Sequence, residues 1–148
     1  ELKKKNYEKT IYKKNLETTL TDVRDLFKEN YKDYKIMHMI INNYIVEGKH
    51  NEKFTDNFCS DTICLEIQFI SISNKFIYEI DKVLDLYQIK IINYLDQNYI
   101  NKIFEGNIMQ LPKKAHFILN GFNENEVQVV QKNVRKIGFF EKFFQLFS

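Results

Sequence analysis

The chain has 148 residues, 44% of them hydrophobic and 15% aromatic, enough for one packed core and too apolar for a disordered chain. Its 22 basic and 20 acidic residues leave a net charge of +2, so the surface as a whole carries no strong field for nucleic acid or an acidic membrane. No apolar run reaches the roughly 20 residues that a membrane-spanning helix needs, and the first residues are charged rather than signal-like.

A cytoplasmic or organelle-matrix protein is therefore expected. The abundance of Lys, Asn, Ile, Phe and Tyr beside four Gly and one Pro is the composition of an AT-rich genome, so lysines and asparagines are discounted as signals. Two cysteines, Cys59 and Cys64, cannot build a disulfide framework, and no Asn-x-Ser/Thr acceptor occurs. The chain begins at Glu1, which leaves a missing start or a cleaved leader open.

Residues 1–15 form a basic segment with six lysines against two glutamates, readable as a frayed helix or an edge strand. Thr21 is a plausible N-cap, and Leu16, Leu20, Val23, Phe27 and Tyr31 recur at helical spacing, which predicts a helix over 21–31. Residues 35–46 are rich in strand formers on both faces and predict a central strand. The polar stretch 47–61, with Gly48, predicts a loop or ragged hairpin connection. Residues 64–73 alternate and predict a strand with one wet face. Asn74 is expected to cap a helix whose stripe of Phe76, Ile77, Ile80, Val83, Leu84 and Tyr87 packs on the sheet. Residues 89–95 predict another strand, 99–104 a short helix ended by Gly106, and 115–119 a strand after Pro112. Gly121 is expected to turn the chain into a last helix carrying Val127, Val130, Val134 and Ile137 on one face.

This order predicts an α+β fold, a mixed four- to five-stranded sheet with helices packed on it, as a single domain over 1–148. Residues 138–148 form an amphipathic aromatic C-terminal segment.

Candidate chemistry is sparse. Gly48, Gly106, Gly121 and Gly138 are isolated, whereas a phosphate loop needs clustered glycines so that backbone amides can approach the anion. The Cys59 to Cys64 spacing, with His50 nearby, lacks the close paired ligands of a zinc site. Glu52, Asp56 and Asp61 fit no calcium loop. His38 sits inside an apolar strand, where a structural role competes with that of a general base, and no Ser or Cys has the small-residue surroundings of a nucleophile elbow. No catalytic, cofactor or metal residue is therefore assigned, and no cofactor is expected. An enzyme site gathered from His38, His116 and Asp96 is the remaining catalytic alternative.

Two surface features carry more. Lys3, Lys4, Lys5, Lys9, Lys13 and Lys14, interleaved with Tyr7 and Tyr12, would contact RNA by charge and stacking, or form a solvated edge. Phe139, Phe140, Phe143, Phe144 and Phe147 share one helical face opposite Glu141, Lys142 and Gln145. That stripe suits a membrane interface or a partner groove, or else a terminal helix docked on the sheet.

The runs Thr19 to Phe27, Tyr34 to Gly48 and Leu65 to Asn74, the helix through Leu86 and the closing segment Ile89 to Leu95 resemble the inserted strand-helix-strand-strand subdomain of FtsA, the actin-like bacterial cell-division protein. The resemblance spans about Leu16 to Asp96. It implies a module that does no chemistry and contacts other division proteins and neighbouring filament subunits, and the phenylalanine-rich end is similar to the amphipathic membrane anchor of that family. The actin-type nucleotide core is absent, the proline after the histidine strand is replaced by Ile41 or Asn42, and the Pro-x-Gly loop is missing around 53–61. A second similarity, over Ile89 to Leu95, Pro112 to Phe122 and Val134 to Phe139, is to the closing part of class I methyltransferases without their glycine-rich cofactor motif, which implies a non-catalytic relic.

The expected function is a non-enzymatic protein-interaction or assembly module, cell-division related, with a protein partner or a homo-oligomer and a C-terminal segment for membrane or partner docking at the inner face of a membrane. The alternative is an RNA-associated component of a large assembly such as an organelle ribosome.

Overall fold

Leu16, Leu20, Val23 and Phe27 line the inner face of helix α1 (Lys13–Asn30) in a computed structural model. The structure describes residues 2–5, 13–55, 58, 60 and 62–128. The helix starts well before Thr21, because Leu16 and Leu20 already belong to its apolar stripe and no Gly or Pro interrupts them. Thr21 does not cap it; its hydroxyl donates back to the Glu17 carbonyl at 3.0 Å, the usual use of a threonine inside a helix.

Four segments form one sheet: β1 (Leu2–Lys5), β2 (Tyr34–Val46), β3 (Lys49–Asn51) and β4 (Thr62–Ser73). Their order is β1-β4-β2-β3, and every pairing is antiparallel. The two long strands, β2 and β4, run side by side over nearly their whole length. β2 turns into β3 through Glu47 and Gly48, at φ 52° and 76°. Two successive left-handed residues are what a two-residue hairpin turn requires.

β2 shows why its sequence reads as apolar on both faces. Ile36, Met39, Ile41, Tyr44 and Val46 all enter the core under α1, yet the steps from 36 to 39 and from 41 to 44 are odd and would put their ends on opposite faces of a regular strand. The register shifts between Ile36 and His38 and again between Ile41 and Asn43. Each bulge takes up one extra residue, Met37 and then Asn42, and so returns the next core residue to the same side. His38 and Ile40 are left on the opposite face, where Ile40 joins Tyr99, Ile100, Phe104 and Ile118 in a second cluster.

That second layer comes from α3 (Gln97–Ile103) and α4 (Leu111–Leu119). The class is α+β, but the sheet expected from sequence, mixed and four- to five-stranded, differs from the one found: its described pairings are all antiparallel, and the members expected at 89–95 and 115–119 are not in it. Residues 89–96 are irregular. Residues 115–119 are helical because Pro112 falls in the first turn of α4, where its missing N–H has no helical partner to lose. The methyltransferase-like strands are thus coil and helix. Gly121, at φ 74°, leads not into a helix but into turns and an extended step at Glu126, which bridges to Ile40. Val127 is buried in the first core; Val130, Val134 and Ile137 lie outside the described residues.

Helix α2 (Asn74–Asp85) departs most from expectation. Ser73, not Asn74, is its N-cap; the Asn74 side chain donates to the Lys32 carbonyl at 2.9 Å. Its apolar stripe exists, but none of its residues is buried. The helix ends with Gln88 at φ 58° and the Ile89 N–H on the Leu84 carbonyl at 3.1 Å, a left-handed C-terminal closure.

The bulges make β2 sensitive to length rather than composition. Deleting Asn42 leaves Ile41 and Tyr44 two steps apart, the spacing of a regular strand, and keeps Tyr44 and Val46 in the core, whereas deleting Ile40 carries Ile41 to the opposite face and brings Asn42 into its place, at about 1.5–3 kcal/mol for the apolar side chain lost. The Asn42 deletion is expected to keep cooperative thermal unfolding and the Ile40 deletion to lose it, while Asn42→Ser stays within about 0.5 kcal/mol of the parent; circular dichroism during heating checks all three.

Candidate functional site

His38 and Glu126 are both fully buried, with 0% of either side chain exposed. The bulge at Met37 turns His38 toward α3 instead of α1, and the bridge opposite Ile40 turns Glu126 to the same face. His38 Nδ1 lies 3.0 Å from Glu126 Oε2, and the Met39 N–H donates to Oε1 at 3.2 Å. The Asp96 N–H donates to His38 Nε2 at 2.9 Å, and the imidazole packs on Tyr99 with ring centroids 4.3 Å apart.

These contacts fix the histidine tautomer. A backbone N–H only donates, so Nε2 is the acceptor and carries no proton; the ring proton sits on Nδ1 and donates to Glu126. Both carboxylate oxygens then accept. Neither imidazole nitrogen faces solvent, so His38 in this geometry has no lone pair to offer a substrate.

Of the catalytic alternative, the structure brings His38 against the backbone of Asp96, while the Asp96 carboxylate caps α3 by accepting from the Tyr99 N–H at 2.7 Å. His116 is exposed on α4 and takes no part. Among the described residues no group of three or more His, Cys, Asp or Glu side chains is placed to hold a metal ion.

Beside the pair lies a shallow groove of about 670 Å³ whose walls include Asn43, Gln68, Asn98, Asn123 and Asn125. Several of its amides are already engaged. Asn123 donates to the Tyr99 hydroxyl at 2.9 Å and accepts from the Asn125 N–H at 3.1 Å. Asn125 donates to the Glu52 carbonyl at 2.6 Å, and Asn43 to the Glu66 carboxylate. The network holds residues 121–128 against β2 and the loop after β3. Tyr44, which donates to Asn125 Oδ1 at 3.4 Å, has its hydroxyl pushed up by burial and then by the charge of Glu124.

Lys3, Lys4 and Lys5 lie in β1, paired with Cys64, Ile63 and Thr62 at the sheet's edge, and Lys13 and Lys14 open α1. Lys9 and Phe139, Phe140, Phe143, Phe144 and Phe147 lie outside the described residues. Glu126 escapes a sequence reading, being 88 residues from His38 in a stretch expected to be helical. The one available signal was that a histidine in an apolar strand demands a hydrogen-bonding partner somewhere.

Among the described residues no helix is long and apolar enough to cross a membrane. Comparison with protein-family models, curated proteins and solved structures found no match in any of the three.

Glu126→Leu strands two buried donors, the His38 Nδ1–H and the Met39 N–H, at about 1–3 kcal/mol each. A smaller loss for the double variant His38→Phe, Glu126→Leu than for the sum of the single changes, measured by urea unfolding, is the expected coupling. Nitrogen NMR of the imidazole should report Nδ1 protonated. Because the Tyr44 hydroxyl is raised in the folded state from 10.0, its contribution to stability is intact below that pH and is lost as the pH climbs above it. Tyr44→Phe is expected to reduce the steepness of alkaline unfolding.

Proposed function

We propose that this chain is a non-enzymatic interaction module that docks on partner proteins through α2 and the segment after it, in an assembly of the cell-division type. One observation carries the reading. Among the described residues nothing covers one side of the clearest amphipathic helix of the fold: Phe76 and Val83, with Leu86 and Tyr87 just after the helix, are 53%, 55%, 81% and 71% exposed, while Ile77, Ile80 and Leu84 are half-buried. Ile89 and Ile92 continue that surface beyond the helix. Isolated exposed apolar residues need no explanation, but a contiguous set on one element marks an interaction surface.

The chain opens β1, α1, β2, β3, β4, which matches the strand-helix-strand-strand order of the inserted subdomain of the actin-like division protein only with the short hairpin strand β3 set aside. The strand at 2–5 falls outside the stretch that carried the resemblance, and the closing strand once expected at 89–95 is not formed. The buried, saturated His38 also favours a module whose surfaces act rather than a pocket. The C-terminal phenylalanine stripe adds a second attachment, to the inner face of a membrane.

Affinity capture with the full chain from its native cells tests the reading. Phe76→Glu with Tyr87→Glu is expected to abolish capture of protein while leaving the circular dichroism unchanged. Capture of RNA alone, falling steeply with salt, would return the basic N-terminal segment to first place. Flotation with anionic vesicles should require residues 138–148; equal flotation without them would remove the membrane attachment.

A further inference from the structure

The last described residues run toward the start of α2. Residues 125–127 lie antiparallel to β2: the Ile41 N–H donates to the Asn125 carbonyl at 2.9 Å, the Val127 N–H donates to the Met39 carbonyl at 2.8 Å, and Ile40 bridges to Glu126. Residue numbers rise along this segment as they fall along β2, so the chain passing Gln128 heads for Tyr34. Tyr34 pairs with Ser73, the last residue of β4, and α2 starts at Asn74. The helix is fastened at that end, where the Asn74 N–H donates to the Asp33 carbonyl at 2.8 Å. Among the described residues Tyr31 and Tyr34 are exposed here, and so are Phe76, Val83 and Tyr87, whose spacing of i, i+7 and i+11 sets them along one side of α2 and its closing turn.

The sequence beyond Gln128 supplies a complementary stripe at the right distance. Nine residues, 129–137, precede Phe139, Phe140, Phe143, Phe144 and Phe147. Nine extended residues reach about 30 Å, whereas the path along β2 from His38 to Tyr34 is about 13 Å. As a helix, residues 138–148 would be about 16 Å long, against about 18 Å for the twelve residues of α2. A helix of that length is marginal in water by itself, so it needs a surface. A short tether presents a surface of its own chain at an effective concentration in the millimolar range, and even a weak apolar contact is then closed within one molecule.

We propose that in the free chain residues 138–148 fold back and pack their phenylalanines on the exposed side of α2, and that a protein partner and a membrane each act by displacing them. This inference rests on the interaction-module reading and adds the regulation of its docking surface. The closed contact occupies at once the helix face that a partner needs and the stripe that a membrane needs. Insertion of the phenylalanines into a bilayer uncovers α2, and a partner seated on α2 releases the phenylalanines. The two attachments are therefore linked, each raising the affinity of the other by the same factor, and the chain docks more tightly at a membrane than in free solution.

The chain has no tryptophan, so Phe143→Trp in the full chain gives a single fluorescent reporter, and Phe147→Trp repeats the measurement at a second point of the stripe. In a Cys59→Ser background, with Cys64 buried, a nitroxide on Val83→Cys is expected to quench most of the tryptophan emission, and one on Ile108→Cys, exposed between α3 and α4, to quench little. The quenching should be indifferent to dilution and relieved by vesicles containing phosphatidylglycerol, or by Phe76→Glu with Tyr87→Glu. Equal quenching from the two sites overturns the proposal, as does quenching that fades on dilution, which assigns the stripe to a second copy, or quenching that vesicles leave intact. A stripe held away from α2 in a chain that still captures protein through Phe76 overturns only this inference. A closed chain that vesicles open, but that captures no protein, overturns only the docking reading.

Discussion

The hydrogen bond between His38 and Glu126 ties together three parts of the chain that share little else. Through it β2, the entry to α3 and the segment after α4 meet at one point. The imidazole accepts from the N–H of Asp96 while the carboxylate accepts from that of Met39. Each polar atom of the pair has a partner, and that makes complete burial tolerable: a buried amide or ring N–H left alone costs about 1–3 kcal/mol. The second layer, α3 and α4 with their phenylalanine cluster, is small. It stays in place because its entrance and its exit are both fastened to the same strand.

The sequence discloses the first layer well and the second poorly. The α1 stripe, β2, β4 and the existence of α2 follow from local periodicity, which short-range sterics and burial enforce. What failed depended on distant partners. Residues 89–95 have the composition of a strand but pair with no strand among the described residues, and residues 115–119 take the helix that Pro112 begins. The bulges in β2 left their mark as a strand apolar on both faces, which has two physical readings: a strand covered on both sides, or one that twice changes parity. The structure contains both. Glu126 had no local signature because its role is defined only by what lies across the sheet.

The same division separates the interior from the surface. Polar groups that attract a chemical reading from sequence, such as His38 and the asparagines, are largely consumed in holding loops to the sheet. Of the apolar groups that periodicity would assign to the core along α2, Phe76, Val83 and Tyr87 are exposed among the described residues and none is fully buried. A stripe of hydrophobic residues shows that a helix has a preferred side, but not whether this chain supplies what covers it. For this reason α2 was legible as a helix and illegible as a surface.

The separation of 88 residues between His38 and Glu126 also bears on the order of assembly. As the chain leaves the ribosome, β1, α1, β2 and β4 can gather their shared core before α4 exists. The Met39 amide and the imidazole must meanwhile remain hydrated. Closing so long a loop is entropically slow, so the last described segment acts as a latch that seals β2 after the rest has condensed. Until it arrives, the nascent strand offers its bare edge to whatever else is nearby, which makes the interval before residues 121–128 emerge a time of risk of mispairing.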